Sequence, residues 1–515
     1  MNFFYPDFET FKELSKAGNL IPVTCRLLAD TETPLSTYQK FCHDAQSFLF
    51  ESVEGGEHVG RYSFLGSKPR EIIIQKGDTI EVIKNGNTRE TFMVSSENPD
   101  KRCNVVKDVL EVIERELKEY KPVIVSGLPR FTGGAVGYLG YEFIHNVEPV
   151  VPKPQADELQ LPTAYFMITD ELVIFDRVTQ TIILLVNTAL NDFPDPESAY
   201  ASAKKKINKM IELFSKPCNM LPVLMPYDTP EIPVESNIKK EQFIANVNKA
   251  KKYITAGDII QVVGSQRFST KLTCSALDVY RFARTINPSP YMFMLNLGDF
   301  SLVGASPEIH VRCEDRNVEI RPIAGTRKRG KTNEEDIRNE QELLNDPKER
   351  AEHVMLVDLA RNDLGRVCDF GTVHVKDLMV VERYSHVMHI VSQVNGRLSG
   401  DKTVFDLMRA TFPAGTLSGA PKIRAMQIIA ELENTQRGPY GGCVGYFSFN
   451  GNLDCCITIR TAVIKEGKAY VQAGGGWVAD SEPEAEFQET VNKAKAMLKA
   501  IALAENCRNI SNLQV

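Results

Sequence analysis

Two pairs of glutamates at helical spacing, Glu349 with Glu352 and Glu486 with Glu489, are the residues of this sequence best suited to chemistry. At i and i+3 on a helix, two carboxylates lie side by side. Their repulsion is tolerated where both are well solvated or where a cation joins them. Either pair alone reads more readily as a solvated helix face. Two such helices facing one another would instead make an oxygen-only site suited to Mg²⁺ with several waters retained. Zinc does not suit that ligand set. Arg460, in the alternating stretch CCITIRTAVI, can grip a carboxylate through two parallel hydrogen bonds. Gly474, Gly475 and Gly476 offer backbone N–H groups with no side chain in the way. In RYSHVMHI, a histidine can donate or accept a proton near neutral pH, and strand alternation puts His386 and His389 on opposite faces, so only one can look into a pocket.

The elements that must position these groups can be outlined. Asp346 as N-cap and Pro347 at the first helical position start the helix of Glu349 and Glu352, and Val354, Met355, Leu356 and Leu359 supply its buried stripe. Ahead of it, Val318 to Ile323 alternates as a strand that ends in a Gly325–Thr326 turn, and a charged loop follows. Glycine there permits a ligand to approach the main chain. The other helix begins at Ser481, with Glu484 in a capping-box relation. Ala494, Met497, Leu498 and Ile501 keep its apolar spacing, while Glu486, Glu489 and Lys493 share another face.

Elsewhere, helices are expected near 1–20, from about Ser36, and near 105–120, 196–214 and 240–256. SFLFESVEGGEHVGRYSFLG, with Glu51 and Ser52, reads as a hairpin, and residues 163–187 read as two strands, YFMITDELVIFD and TQTIILLV. DIIQVVGSQRF, with Gln261, alternates as a strand, and NPSPYMFML, with Pro290, Tyr291 and Met292, turns from loop to strand. GGAVGYLGYEF is echoed by GGCVGYFSF, and because nothing around the two copies matches, shared strand-start chemistry is preferred to structural equivalence. Alternating strands without repeated βαβ spacing give an α+β fold, with antiparallel sheets packed face to face and helices outside.

With 515 residues, 43% hydrophobic and 25% charged, the chain has the composition of a soluble globular protein large enough for two or three cores. A net charge of −7 argues against nucleic acid or an anionic membrane surface as partner. Eleven cysteines without a CxxC pair fit reduced thiols, and Cys455 with Cys456 read as packing residues. Asp7, Glu9, Lys12 and Glu13 near the start leave no apolar core for a secretory signal, and no run is long enough to span a bilayer, so a cytoplasmic location is expected. Five prolines between Lys216 and Ser236 mark 216–236 as a linker between an N-terminal domain, 1–215, and a second domain, 237–505.

PIAGTR, ERAEHVMLVDLARNDLGR, RYSHVMHIVSQV, PAGTLSGAPK and DSEPEAEFQETVNKA together resemble the chorismate-utilising enzyme family and, within it, the anthranilate synthase component I family. Several long blocks in the family's order, spanning most of the second half, are a far stronger signal than one short motif. The resemblance implies Mg²⁺-dependent conversion of chorismate and ammonia to anthranilate and pyruvate, the committed step toward tryptophan. It makes Glu352 and Glu489 the metal contacts, with Glu349 and Glu486 direct or through water. Arg460 and Tyr440 would hold the enolpyruvyl carboxylate, with Gly325, Thr326, Gly474, Gly475, Gly476 and Lys493 also around the substrate, Thr416 adding a hydroxyl and His389 transferring protons. L-Tryptophan, as feedback inhibitor, would contact Glu51, Ser52, Pro290, Tyr291 and Met292. Gln261 stands where water-adding relatives carry a lysine base, and an amide cannot serve as one. Ala324 stands where relatives making 4-amino-4-deoxychorismate carry a nucleophilic lysine. The one Gly-x-Cys-x-Gly string, at residues 441–445, lies within the strand-like GGCVGYFSF and has no matching His-Glu pair, so it does not read as a nucleophile elbow, and glutamine as nitrogen source requires a separate amidotransferase subunit, in a heterodimer or heterotetramer. The alternatives are aminodeoxychorismate synthase component I, a synthase stopping at 2-amino-2-deoxyisochorismate, and a catalytically silent amino-acid sensor.

Overall fold

Strand alternation sorts the apolar side chains of this protein into layers. Along Tyr291–Leu297, for instance, Phe293 and Leu295 enter one core while Met292 and Met294 enter another. The computed structural model describes residues 3–42, 46–52, 60–95, 104–384 and 387–507. Among them are two sheets of 13 strands each, packed face to face around a core that includes Phe64, Tyr138, Phe293 and Val444. Helices cover both outer faces. The α+β expectation, with antiparallel sheets face to face and helices outside, is the architecture found.

The first half supplies ten principal strands: β1 (Leu20–Leu28), β2 (Gln46–Glu51), β3 (Tyr62–Ser67), β4 (Glu71–Lys76), β5 (Thr79–Lys84), β6 (Asn87–Val94), β7 (Gly134–Leu139), β8 (Ala164–Thr169), β9 (Glu171–Asp176) and β10 (Thr181–Ala189). The second supplies β11 (Gln261–Lys271), β12 (Tyr291–Leu297), β13 (Phe300–Ser306), β14 (Ile309–Glu314), β15 (Asn317–Ile320), β16 (Ile323–Lys328), β17 (His374–Arg383), β18 (Val387–Arg397), β19 (Cys443–Ser448), β20 (Leu453–Ile457), β21 (Thr461–Lys465) and β22 (Lys468–Trp477). One sheet runs β1-β10-β9-β3-β2-β12-β13-β21-β22-β11, and the core of the other runs β6-β5-β4-β8-β7-β19-β20-β14-β15-β18. Each order reads the same from both ends once a strand of the first half is exchanged for its counterpart in the second. The chain is thus a pseudo-two-fold repeat whose halves meet at β2·β12 and β7·β19.

That symmetry corrects the reading of the two glycine-rich echoes. They are β7 and β19, equivalent strands that lie side by side with Gly137 opposite Gly445. Topological equivalence survives here without matching flanks, because backbone pairing constrains only the glycines and small residues at the contact. Residues 216–236 separate the halves in sequence, yet both sheets and the three largest cores draw on each side of that segment.

Three strand boundaries also differ from expectation. YFMITDELVIFD is two strands, β8 in one sheet and β9 in the other, divided at Asp170, whose carboxylate is held by Arg70 at 2.9 Å. CCITIRTAVI likewise divides into β20 and β21, with Arg460 at the corner in a left-handed conformation (φ 52°). Val318–Ile323 breaks after Ile320, and Gly325 and Thr326 lie within β16, at a bulge where Gly325 has φ 77°. A charged side chain can sit inside an alternating run when the chain changes sheets there, and alternation does not record the change.

Of the helices, α1 (Pro34–Phe41) and α2 (Ala276–Ile286) are counterparts, as are α3 (Pro196–Phe214) and the final helix. The stretch read as a charged loop contains a helix, α4 (Asn333–Asn345), capped by Thr332, which accepts from Glu335 N at 3.2 Å. α5 (Pro347–Gly365) starts as expected, the Asp346 carboxylate accepting from Lys348 N and Glu349 N. Its buried side is His353, Leu356, Val357, Ala360 and Leu364, whereas Val354 is exposed. α6 (Lys422–Glu433) follows, and the final helix, α7 (Pro483–Asn506), begins two residues after Ser481 without a capping box. Ser481 instead accepts from Val478 N at 2.9 Å, holding the turn before the helix. No helix among the described residues is long and apolar enough to cross a membrane.

Candidate active site

Gly474, Gly475 and Gly476 are the floor of the site, as the end of β22 rather than a loop after it. They pair with Ser265, Gly264 and Val263 of β11. On the opposite edge, β21 pairs with β22 only as far as Val471, leaving the glycines to side chains. A Cβ at Gly474 would meet the Tyr440 hydroxyl at 2.6 Å, one at Gly475 would meet Glu486 Oε2 at 3.1 Å and Glu489 Oε1 at 3.5 Å, and one at Gly476 would meet Gln261 Nε2 at 1.9 Å. Four expected site residues therefore crowd three adjacent glycines: a side chain at Gly474 or Gly476 would displace Tyr440 or Gln261, and one at Gly475 would press on Glu486.

The two carboxylate helices converge on that floor. Gln261 Nε2 donates to Glu352 Oε1 at 3.3 Å, tying α5 to the start of β11. From α7, Lys493 Nζ pairs with Glu489 Oε1 at 2.6 Å and donates to the Gly474 carbonyl at 3.0 Å. Glu349 turns toward Gly325 and is held by Arg327 at 2.9 Å. Burial raises the pKa of Glu352, with Glu349 and Glu489 adding to the rise, and burial likewise raises that of Glu486. Arg460 donates to the Lys493 carbonyl at 2.5 Å, and its burial lowers its pKa, an environment that favours an anionic partner.

Oxygen donors from both helices suit Mg²⁺ in kind, and Glu486 Oε2 is buried with no hydrogen-bond partner, which a cation would satisfy. Among the described residues no three acidic, histidine or cysteine side chains are already drawn together as a metal-holding group. Lys493 and Arg327 occupy carboxylates that a metal would claim, so the fit is one of donor chemistry and neighbourhood.

His389 lies on β18 opposite Thr326 of β16. Its Nδ1 is 3.0 Å from Thr326 Oγ1 and 3.2 Å from the Gly325 carbonyl. A carbonyl only accepts, so Nδ1 carries the hydrogen and Nε2 the lone pair. Burial lowers the ring's pKa and keeps it neutral near pH 7. His386 lies outside the described residues.

One group escaped the sequence reading. Glu308, between β13 and β14, is buried beside Thr416 and within electrostatic reach of Lys493, and burial pushes its pKa up to about 8. It is thus a neutral carboxylic acid at pH 7. The only sequence signal was a lone acid in GASPEIHV, a stretch with no other acidic residue.

A second cavity, about 560 Å³ including its mouth, lies between the sheets at the seam of the two halves, lined by residues that include Ser52, Pro290 and Tyr291. Its walls are apolar, with Phe50, Phe64 and Phe293. At its floor, Asp454 accepts from Tyr291 Oη at 2.8 Å and from Arg130 at 2.8 Å, while Arg312 donates to the tyrosine hydroxyl at 2.7 Å. Glu51 and Met292 border this cavity, but their side chains lie on the helix-covered face of the sheet. There the Glu51 carboxylate accepts from Tyr280 at 2.8 Å and pairs with Arg284 and Arg177, each at 3.2 Å.

Two face-to-face sheets, paired carboxylate helices and a glycine floor place the chain in a defined class: it belongs to the chorismate-binding enzyme family, whose profile matches residues 64–499. Within that family its likeness is to anthranilate synthase component 1. The protein of that name from Acetivibrio thermocellus is 49% identical over 98% of this chain and 100% of its own length. The one from Synechocystis is 47% identical over 96% of this chain and 99% of its own. Among solved structures, anthranilate synthase component I from Streptococcus pneumoniae superposes with a TM-score of 0.73 at 34% identity, covering 92% of this chain and 98% of that one. The menaquinone-specific isochorismate synthase from Escherichia coli shares the fold, with a TM-score of 0.68 at 17% identity over 96% of this chain and 98% of its own.

Proposed function

We propose that this enzyme converts chorismate and ammonia to anthranilate and pyruvate with Mg²⁺, and that tryptophan inhibits it from the seam cavity. The observation that carries the reading is the convergence of Tyr440, Gln261, Glu486 and Glu489 on the three glycines, beside Arg460 and Lys493. Gln261 and Ala324 weigh against the water-adding and aminodeoxychorismate-forming alternatives, because neither supplies the lysine those reactions use.

In this reading Arg460 and Tyr440 hold the enolpyruvyl carboxylate, and Lys493 moves from Glu489 toward a substrate carboxylate. Glu352 and Glu489 hold Mg²⁺, with Glu349 and Glu486 direct or through water. When bound, the ion would polarise the ring carboxylate and fix the ring's orientation. Ammonia adds at ring carbon 2, and the carbon 4 hydroxyl leaves as water with the proton of Glu308, beside Thr416; the proton that the new ammonium nitrogen sheds restores the acid. His389, with its lone pair on Nε2, takes the carbon 2 proton as the carbon 3–oxygen bond breaks and the ring becomes aromatic, and the departing enolpyruvate takes up a proton at its methylene carbon to become pyruvate. Acid and base are thus separate groups whose environments set them apart. Ammonia comes from a separate glutamine amidotransferase subunit, as the name component 1 of the relatives suggests, and the complex works in the cytoplasm. An apolar cavity with a charged floor suits an aromatic amino acid, its ring against Phe50 and Phe293 and its polar end toward Ser52 and the Asp454 network.

The test is anthranilate fluorescence from the chain alone with chorismate, Mg²⁺ and an ammonium salt, with pyruvate measured in parallel. Both products should rise together, stop with a chelator and be suppressed by tryptophan. Chorismate loss without fluorescence would move the assignment to an aminated intermediate, and no loss at all would favour the sensor.

A further inference from the structure

Glu352 is followed by a histidine with no place in that chemistry. His353 is 0% exposed and lies on the face of α5 that packs against the strands. Its Nε2 is 2.6 Å from Ser392 Oγ on β18. The same hydroxyl accepts from Met379 N of β17 at 2.9 Å, at a left-handed residue (φ 54°) where β17 slips in register against β18. Having accepted that N–H, Ser392 can give its own proton to Nε2. One hydroxyl therefore ties together the helix of Glu349 and Glu352, the strand of His389, and the edge strand beside it.

Around His353, the buried face of α5 is Leu356, Val357, Ala360 and Leu364, and its one other buried polar group, Asp363, pairs with Lys422 at 2.7 Å near the far end of the helix, about ten residues from the carboxylates. Apolar contacts of this kind tolerate small rotations, whereas a hydrogen bond has a direction. A helix with its side chains is about 10–12 Å across, so a 20° rotation moves a carboxylate by about 2 Å. Metal–ligand distances tolerate about 0.2 Å.

We propose that His353 and Ser392 are positioning residues, fixing the rotation of α5 so that Glu349 and Glu352 meet the ion. The inference rests on the Mg²⁺ reading above. Its test compares the full chain with Ser392→Ala, His353→Leu, His353→Gln and the Ser392→Ala/His353→Leu double variant. Each is followed by calorimetric Mg²⁺ titration and by amide hydrogen exchange. Ser392→Ala and His353→Leu should each weaken Mg²⁺ binding about 10-fold. The double variant should be no weaker than the weaker single, because both break one link. His353→Gln, whose amide can reach the same hydroxyl, should keep most of the affinity. Exchange over residues 349–356 should quicken in the loss variants while that of α7 stays unchanged. Unchanged affinity and exchange in Ser392→Ala, or single effects that multiply in the double, would overturn the proposal. A wild-type chain that takes up no Mg²⁺ would remove the metal reading, and α5 exchange would then decide the pinning by itself. Should His353→Leu fail to fold, Ser392→Ala, which deletes a single oxygen, still decides it.

Discussion

Replacing Glu308 with glutamine should remove one pH dependence of stability. In the folded protein this carboxyl has a pKa of about 8 against an ordinary 4.5, because burial outweighs the opposing influence of the nearby Thr416 hydroxyl and the Lys493 charge. Between those values the folded chain keeps a proton that the unfolded chain releases. Its contribution to stability is therefore full below about pH 4.5, declines as pH rises, and is gone above about pH 8. A span of about 3.5 pH units corresponds to about 5 kcal/mol, as an order of magnitude. Glutamine cannot ionise, so the difference between wild type and Glu308→Gln isolates this group from every other titration. Urea denaturation of both proteins at pH 5.5, 7 and 8.5 should show glutamine gaining on glutamate by several kcal/mol across the series. As the proposed proton donor, Glu308 also predicts an alkaline limb near pH 8 in kcat for wild type, and a kcat loss of about 10²–10⁴-fold in Glu308→Gln with KM for chorismate little changed. A stability difference that stays constant with pH would refute the burial argument. A kcat close to wild type would refute the role.

Three further outcomes follow from the geometry. Gly475→Ala places a methyl 3.1 Å from Glu486 Oε2, so it should lower kcat/KM about 10²-fold while the thermal midpoint moves little, read by steady-state kinetics and a melting curve. Glu51→Gln leaves Arg177 and Arg284, each about one-third exposed, without their shared anion and should cost about 1–3 kcal/mol in denaturant unfolding. Because burial lowers the His389 pKa, the acidic limb of kcat/KM that reports this ring should lie below pH 6.5 and be absent from the residual activity of His389→Phe.

How much of this was legible in the sequence depended on whether the signal was local. The caps and apolar spacing of α3 and α5 are local, and both helices begin where expected. Paired carboxylates at i and i+3 are local too, and the helices that carry them do face one floor. Corners between sheets are not local. Arg460 and Asp170 sit inside alternating runs because the chain changes sheets at those residues while its alternation continues. Glu308 was missed for a related reason, since its neutrality comes from burial by residues distant in sequence. The resemblance puts Glu51 and Ser52 together against tryptophan, but successive strand residues face opposite ways, and the Glu51 carboxylate belongs to the α2 side.

The two-fold order of the strands bears on how such a chain holds together. Cut at the linker, each half would expose an unpaired edge of β2 and β7, or of β12 and β19, running through the middle of its apolar face. The molecule is in effect a dimer made within one chain, and the 216–236 segment is its tether. A tether of that length spans at most about 70 Å and keeps one half at an effective concentration on the order of millimolar around the other. Hydrogen-bonded ladders and shared cores then do the holding, so the segment can vary in sequence, or be nicked by a protease, while the halves stay joined. The seam cavity lies where they meet, and whatever fills it touches both protomers of that internal dimer at once.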